Sequence, residues 1–426
     1  MNRLLQATIA VFLGLVFATV RVPAQTFGQI TGQITDSSGA AVPDASITLK
    51  NTATDAVRQT VSTPSGDYGF PSLPPGTYSI QAEKQGFKRS ESNNVTVQVQ
   101  QTVRLDLSLA IGQVTESVIV EANAVALQAE NATVGTVVEN RRIVELPLNG
   151  RNFLQLVALA PNVTTLSPSA GQAGARQGGD RANQSISVAG QRTMFDYFTL
   201  DGVNNTDPNF NTYVVLPSID ALQEFKVQTG VYPAEFGHNA TQINVLTKSG
   251  GNQYHGALFE FLRNDVLDAK PYSFTSRPQD KNPFKWNQFG FELDGPVIIP
   301  KIFHGKDKLF FLANYEAFRQ RQNFQSSPFT VPSAAMFNGD FSALSKVIYD
   351  PNGKNPFPGN MIPAGRIDPI SKRLLQYYQS ANIASLSNNF VRSSASPINK
   401  DQFILRMDYV ESAKSQWSGR YSWGDE

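Results

Sequence analysis

Three histidines, His238, His255 and His304, are the imidazoles of this 426-residue sequence, and none stands in a His-x-x-Glu or His-Glu-x-x-His pair. A catalytic zinc ion needs three protein ligands and an open position. His304-Gly305-Lys306-Asp307 is the nearest approach, in a Pro/Gly-bounded loop with no histidine downstream. The sequence has no cysteine, which excludes disulfides, thiolate metal sites and a cysteine nucleophile. No Gly-x-Ser-x-Gly elbow occurs, and the scattered Ser and Asp residues read as turn formers. The Gly-rich run 171–184, GQAGARQGGDRANQ, lacks the Gly-Lys-Ser/Thr ending and the following helix of a phosphate loop, so it reads as a loop. The expectation is a non-enzyme without metal or cofactor.

One short stretch does have the makings of a recognition element. TESVIVEANA, Thr115 to Ala124, is strand-prone and has no turn tying it to a neighbour. Val118, Ile119 and Val120 favour extended backbone, while Glu116 and Glu121 discourage self-association. Such a segment can complete another protein's sheet edge. The alternative is that it forms the last strand of the module before it.

The composition sets the frame for that module and those that follow. Lys+Arg number 36 against 35 Asp+Glu, with no dense basic run, so the electrostatic footprint of a nucleic-acid binder is absent. Charged residues make up 17% of the chain while Phe reaches 28 and Tyr 13, a mixture that favours β-structure. Residues 1–24 read as a signal peptide: Arg3 precedes an apolar run from Ile9 to Val20, and Val22-Pro23-Ala24 supplies the cleavage pattern. The run is shorter than the ~20 residues a spanning helix needs, and Arg21 ends it. Any membrane insertion by the rest of the chain must therefore use strands.

Residues 25–111 alternate in short strands and turns. Pro74-Pro75-Gly76 sets a turn before Tyr78 and Ile80, and Val95, Val97 and Val99 share one face. The spacing predicts a small antiparallel β-sandwich. GQITDSSGAAVPDASITL, SGDYGFPSLPPGTYSI and KQGF together resemble the carboxypeptidase regulatory-like domain, a transthyretin-like sandwich of carbohydrate-binding-like fold. The resemblance implies an accessory domain with no catalytic residues.

Residues 127–251 mix strand runs with a short helix candidate over 152–159, preceded by Leu146-Pro147 and stopped by Pro161. LPLNGRNF, SVAGQR, TLDGV, IDALQEFKVQTGVYPAEFG and INVLTKSGGNQYHG occur in the order found in TonB-dependent outer-membrane receptors, which they resemble. The resemblance implies a mixed α/β plug domain. Within it, Asp201 is expected to cap a turn, and Glu235 to pair with an inward arginine of the barrel wall.

Residues 252–426 carry longer alternating strands. Phe403, Leu405, Met407 and Tyr409 oppose Ile404, Arg406 and Asp408, and Trp417, Tyr421 and Trp423 oppose Ser418, Arg420 and Ser422. Phe289, Phe291 and Leu293 likewise oppose Glu292 and Asp294. Polar residues facing a lumen and aromatics facing lipid account for the pattern, as does a sheet with one wet face. Combined with the plug motifs, it predicts the first strands of a transmembrane antiparallel β-barrel. About five strands are foreseen where a plugged transporter has ~22, so the chain is expected to be the N-terminal part of a longer protein or to assemble with other chains.

Receptors of this family carry a short periplasmic strand, the TonB box, between any N-terminal extension and the plug, and the segment within 112–126 resembles it. The resemblance implies that Glu116, Ser117, Val118, Ile119, Val120, Glu121 and Ala122 contact TonB of the inner-membrane energy-coupling complex. It further implies outer-membrane lipid as surroundings, a periplasmic N-terminal domain, and an extracellular ligand such as a carbohydrate or siderophore. The rival expectation is a secreted or surface carbohydrate-binding or adhesion protein, which leaves the ordered plug motifs unexplained.

Overall fold

The computed structural model describes residues 26–112, 117–119, 135–165, 186–191, 196–208, 213–230, 241–270, 272, 274, 281, 283–413 and 415–425. The signal-peptide reading of 1–24, the loop reading of 171–184, and Glu235 and His238 lie outside the described residues. The described chain is mainly β.

The first module contains β1 (Gly28–Asp36), β2 (Ser46–Asn51), β3 (Val57–Val61), β4 (Asp67–Leu73), β5 (Gly76–Glu83), β6 (Arg89–Val97), β7 (Thr102–Arg104), β8 (Leu107–Leu109) and β9 (Ser117–Ile119). One sheet runs β3-β2-β5-β6-β9; the other runs β4-β1-β7, with β8 also on β1. Alternation dictates the core, since successive side chains leave opposite faces of a strand. Ile30, Ile34, Ile47, Leu49, Phe70, Ile80 and Leu107 are buried between the sheets. Pro74 and Pro75 make the turn between β4 and β5, and the Tyr78 hydroxyl donates to the Pro74 carbonyl at 2.6 Å. Gly32 is a position of close approach: a Cβ there would stand 1.8 Å from the Leu105 carbonyl oxygen.

The second module contains β10 (Gly135–Glu139), α1 (Asn140–Glu145), β11 (Val163–Thr165), β12 (Ile186–Val188), β13 (Asp196–Leu200), β14 (Val203–Asn204), β15 (Leu222–Gln228) and β16 (Thr241–Thr247). Its sheet runs β10-β15-β16-β13-β14, with β13 and β16 parallel, and β11 pairs with β12 apart from it. Phe153, Leu154, Leu156 and Val157 pack on Phe225, Val227, Ile243 and Val245. The helix expected over 152–159 forms as a 3-10 turn, Phe153–Leu159, with the Asn152 side chain accepting from the Leu154 amide at 3.0 Å. Just upstream, Gly150 and Arg151 take left-handed backbone with φ of 68° and 53°, which interrupts the helix, and 3-10 geometry suits the short piece that follows. The α1 helix, with Ile143 buried, was not foreseen.

The remaining strands are β17 (His255–Asn264), β18 (Phe284–Pro296), β19 (Ile298–Ile299), β20 (Phe303–His304), β21 (Leu309–Gln325), β22 (Ser393–Ser412) and β23 (Ser415–Asp425). A five-stranded sheet runs β17-β18-β21-β22-β23, while β19 and β20 pair separately. The antiparallel register of β22 and β23 sets Phe403 opposite Trp423, Leu405 opposite Tyr421 and Tyr409 opposite Trp417. Leu405, Met407, Tyr409, Trp417, Tyr421 and Trp423 are exposed while Ile404 is buried, as the alternation predicted. Among the described residues no helix is long and apolar enough to cross a membrane, which has no bearing on strands.

Two compact units divide the chain: residues 1–260 with 289–317 and 401–425, and residues 261–288 with 318–400. The second unit holds α2 (Ala334–Phe337) and α3 (Pro369–Leu375), the latter capped by the Asp368 carboxylate on the Ile370 and Ser371 amides. The first unit holds the features that follow.

Ile80 is fully buried in the sandwich. Ile80→Ala should destabilise that module by about 2–5 kcal/mol, read as a lower urea midpoint in the circular dichroism of residues 26–119 expressed alone.

Candidate functional site

The strand-prone segment does not stand alone. β9 lies parallel to β6, with Ser117 beside Arg89, Val118 beside Ser90 and Ile119 beside Glu91. The expectation of an unpaired strand is corrected: Ser117–Ile119 is the last strand of the sandwich sheet. The physical reason is that β6 would otherwise present a bare edge, and a β-branched segment eight residues downstream of β8 is within reach to cover it. β9 ends the strand order, so no strand among the described residues occupies its outer edge. Glu116, Val120, Glu121 and Ala122 lie outside the described residues.

The sandwich grips the second module through the turn after β6. The Val99 amide donates to Glu224 Oε1 at 2.5 Å, and Gln98 Nε2 donates to Glu139 Oε1 at 2.8 Å. Lys226 Nζ donates to the Gln100 carbonyl at 3.3 Å, and Asn244 Nδ2 to Gln100 Oε1 at 3.4 Å. These partners come from alternation in β15 and β16. One face supplies Phe225, Val227, Ile243 and Val245 to the core, and the other presents Glu224, Lys226, Gln228, Gln242 and Asn244, all buried. Burial pushes the Glu224 carboxyl up to about 7, with Glu139 adding to the rise while the Val99 amide and Lys226 oppose it. Burial lowers Lys226 to about 8, with Glu224 opposing.

Charge also fastens the second module to the long strands. Asp201 and Gly202 turn with φ of 50° and 78°, left-handed backbone that Asp and Gly tolerate. The turn aims the Asp201 carboxylate at Thr247, whose amide donates at 2.8 Å, and at two arginines of β22 and β23. Arg420 Nη1 stands 2.9 Å from Asp201 and Arg406 Nη1 3.3 Å. Arg406 is also held by Asp408 at 2.9 Å and donates to the Thr247 carbonyl at 2.8 Å. Asp201 was foreseen as a turn cap; its bonding to strands more than 200 residues away was not. A second cluster joins Arg151 to Asp220 and, at 3.6 Å, to Glu316, which accepts from the Ser218 hydroxyl at 2.7 Å. Arg151 also stacks 4.2 Å above the Phe259 ring, and Lys248 lies 3.7 Å from Glu292. Apolar packing at the same junction includes the small cluster Ala221, Leu312 and Ile404. A junction of this kind can shear without baring a large apolar surface. The signal that could have found it was the inward set Arg406, Asp408 and Arg420, since buried charges require partners.

His255 Nδ1 stands 3.5 Å from Asp294, and His304 lies in β20. Among the described residues no three His, Asp or Glu side chains come together as a metal site.

Asp201→Asn removes the counter-charge of Arg420 while leaving Asp408 on Arg406. It should destabilise the first unit by about 3 kcal/mol, seen as a lower thermal midpoint of tryptophan fluorescence. The sandwich grip should weaken with pH. Burial in the folded chain raises the Glu224 pKa, so its contribution is full below its ordinary 4.5 and is lost as pH rises through about 7. Exchange of the Val99 amide should therefore quicken between pH 5 and 7.5 beyond the intrinsic rate, and Glu224→Gln should abolish the excess.

Comparison with known proteins follows the same division. Residues 29–110 match the carboxypeptidase regulatory-like domain and residues 246–426 the outer membrane beta barrel domain. The TonB-dependent transporter Oar of Myxococcus xanthus is 26% identical over 336 residues, covering 74% of this chain and 29% of its own length. The chain thus spans less than a third of that relative. Among solved structures, a mutant of the ferric enterobactin receptor of Pseudomonas aeruginosa aligns over 68% of this chain and 32% of its own, at 13% identity and a TM-score of 0.36. A putative carbohydrate binding protein from Bacteroides uniformis aligns over 20% of this chain and 41% of its own, at 20% identity and a TM-score of 0.18. The chain is a homologue of a TonB-dependent transporter, and its barrel domain makes it an outer-membrane protein.

Proposed function

We propose that this chain acts as a TonB-dependent outer-membrane receptor, binding an extracellular ligand and moving it across the membrane with energy delivered by TonB. In this reading the sandwich lies in the periplasm and the second module is the plug. The exposed Leu405, Tyr409, Trp417, Tyr421 and Trp423 face lipid, and the chain performs no catalysis. TonB of the inner-membrane complex contacts Glu116 to Ala122, the segment that includes β9 at the margin of the sandwich sheet. The observation that carries the reading is the seat of Ser117–Ile119 at the end of a sheet, where strand addition is the natural mode of recognition. The junction of Asp201 with Arg406 and Arg420 supports it, since a plug held by charge can be displaced inside a barrel without exposing an apolar core.

Ile119→Pro removes a backbone donor and fixes φ. The variant should bind the purified TonB C-terminal domain at least tenfold more weakly than the unaltered chain, measured by titration calorimetry in detergent. Unchanged affinity would contradict the assignment of this segment.

A further inference from the structure

Gly250 and Gly251 end the second module, and each is a position of close approach on a different side. A Cβ on Gly250 would stand 2.6 Å from the Phe311 carbonyl oxygen and 2.8 Å from that of Gly295, so the backbone is seated against β18 and β21. A Cβ on Gly251 would stand 3.1 Å from the Ala53 carbonyl oxygen, in the sandwich turn between β2 and β3. Asn252 closes the junction. Its amide donates to the Ala53 carbonyl at 2.9 Å. Its Nδ2 donates to Asp55 at 3.1 Å and to Asp307, in the turn before β21, at 2.6 Å. Asn252 Oδ1 accepts from the Asp307 amide at 2.8 Å. One amide side chain thus links the sandwich, the end of the second module and the long strands.

We infer that the sandwich is a strap across the second module: docked, it holds that module against the long strands, and the module moves once the sandwich lets go. The role of this release in transport rests on the receptor reading proposed above. Two contacts made by one rigid body carry the inference. The turn after β6 bonds to Glu139 of β10, Glu224 of β15 and Asn244 of β16, while the turn after β2 bonds to Asn252. Both turns lie at the same end of one sheet, since Asn51 stands opposite Tyr78 and Val97 opposite Gly76. β2 and β6 flank β5, so the two turns are about 10 Å apart, or two strand spacings. Leu49 and Ile80, paired across β2 and β5 and buried, keep that spacing fixed. Neither turn can leave while the other holds without bending the sheet, so release is a single step. The strap touches β10, by which the chain enters the second module, and Asn252, by which it leaves.

The chain lacks cysteine, so introduced thiols report alone. Ala221→Cys places a reporter where the second module packs on Leu312 and Ile404 of the long strands. Its rate of maleimide labelling in the full chain in detergent, followed peptide by peptide by mass spectrometry, measures how often that junction opens. Ala53→Cys with Gly251→Cys adds a lock, because a Cβ on Gly251 lies 3.5 Å from that of Ala53, within disulfide reach. Oxidising the lock should slow labelling of the reporter at least threefold relative to the reduced pair. Asn252→Asp, which sets a third carboxylate beside Asp55 and Asp307, should speed it at least tenfold. Equal rates with the lock oxidised and reduced would overturn the inference, as would unchanged labelling in Asn252→Asp. So would an equal acceleration at Ala82→Cys, buried in the sandwich core, since the opening would then not be local. If the purified TonB C-terminal domain binds none of these chains, the coupling reading falls, while the labelling rates still decide the strap.

Discussion

Every extended segment of this chain must have its backbone amides and carbonyls paired, and the places where pairing stops decide what the molecule can do. In lipid an open strand edge is intolerable, and the five long strands β17-β18-β21-β22-β23 pair one with the next. In the periplasm of the proposed arrangement an edge is tolerable, and there it becomes a resource. β6 is covered by the three residues of β9, and β9 is covered by none among those described. The segment with the clearest recognition chemistry is thus a sheet margin.

The same economy separates permanent from breakable contacts. Within the sandwich and within the second module, apolar side chains close contiguous cores around Ile30, Ile80 and Phe70, and around Phe225, Val227 and Ile243. Between modules, beside the small apolar cluster Ala221, Leu312 and Ile404, the contacts include hydrogen bonds and ion pairs: Val99 to Glu224, Arg420 to Asp201, Arg151 to Asp220. Cores of that kind unfold as units, whereas buried polar pairs add little net stability yet fix one arrangement. A molecule built this way can keep its modules intact while their relative attachment is exchanged, as the proposed coupling requires.

Much of this was legible from residue order. The period-2 alternation of Phe403 to Tyr409 and of Trp417 to Trp423 foretold both the strands and their exposed faces, because alternation is a local property. The sandwich strands and the turn at Pro74-Pro75 were equally local. What escaped depends on pairing across long separations. Arg406 and Arg420 announced themselves as inward charges, but their meeting with Asp201 joins residues 205 and 219 positions apart. Glu224 and Lys226 carried no signal in the sequence of the contacts that they make with Val99 and Gln100, more than 120 positions away. The docking of β9 is the alternative that the sequence held open, because nothing in Ser117-Val118-Ile119 distinguishes a free strand from one that has found β6.

Amide exchange across the full chain, with and without the purified TonB C-terminal domain, tests the central claim most directly. The account predicts new protection at Ser117–Ile119 when the domain binds. Protection that leaves Ser117–Ile119 unchanged would contradict it.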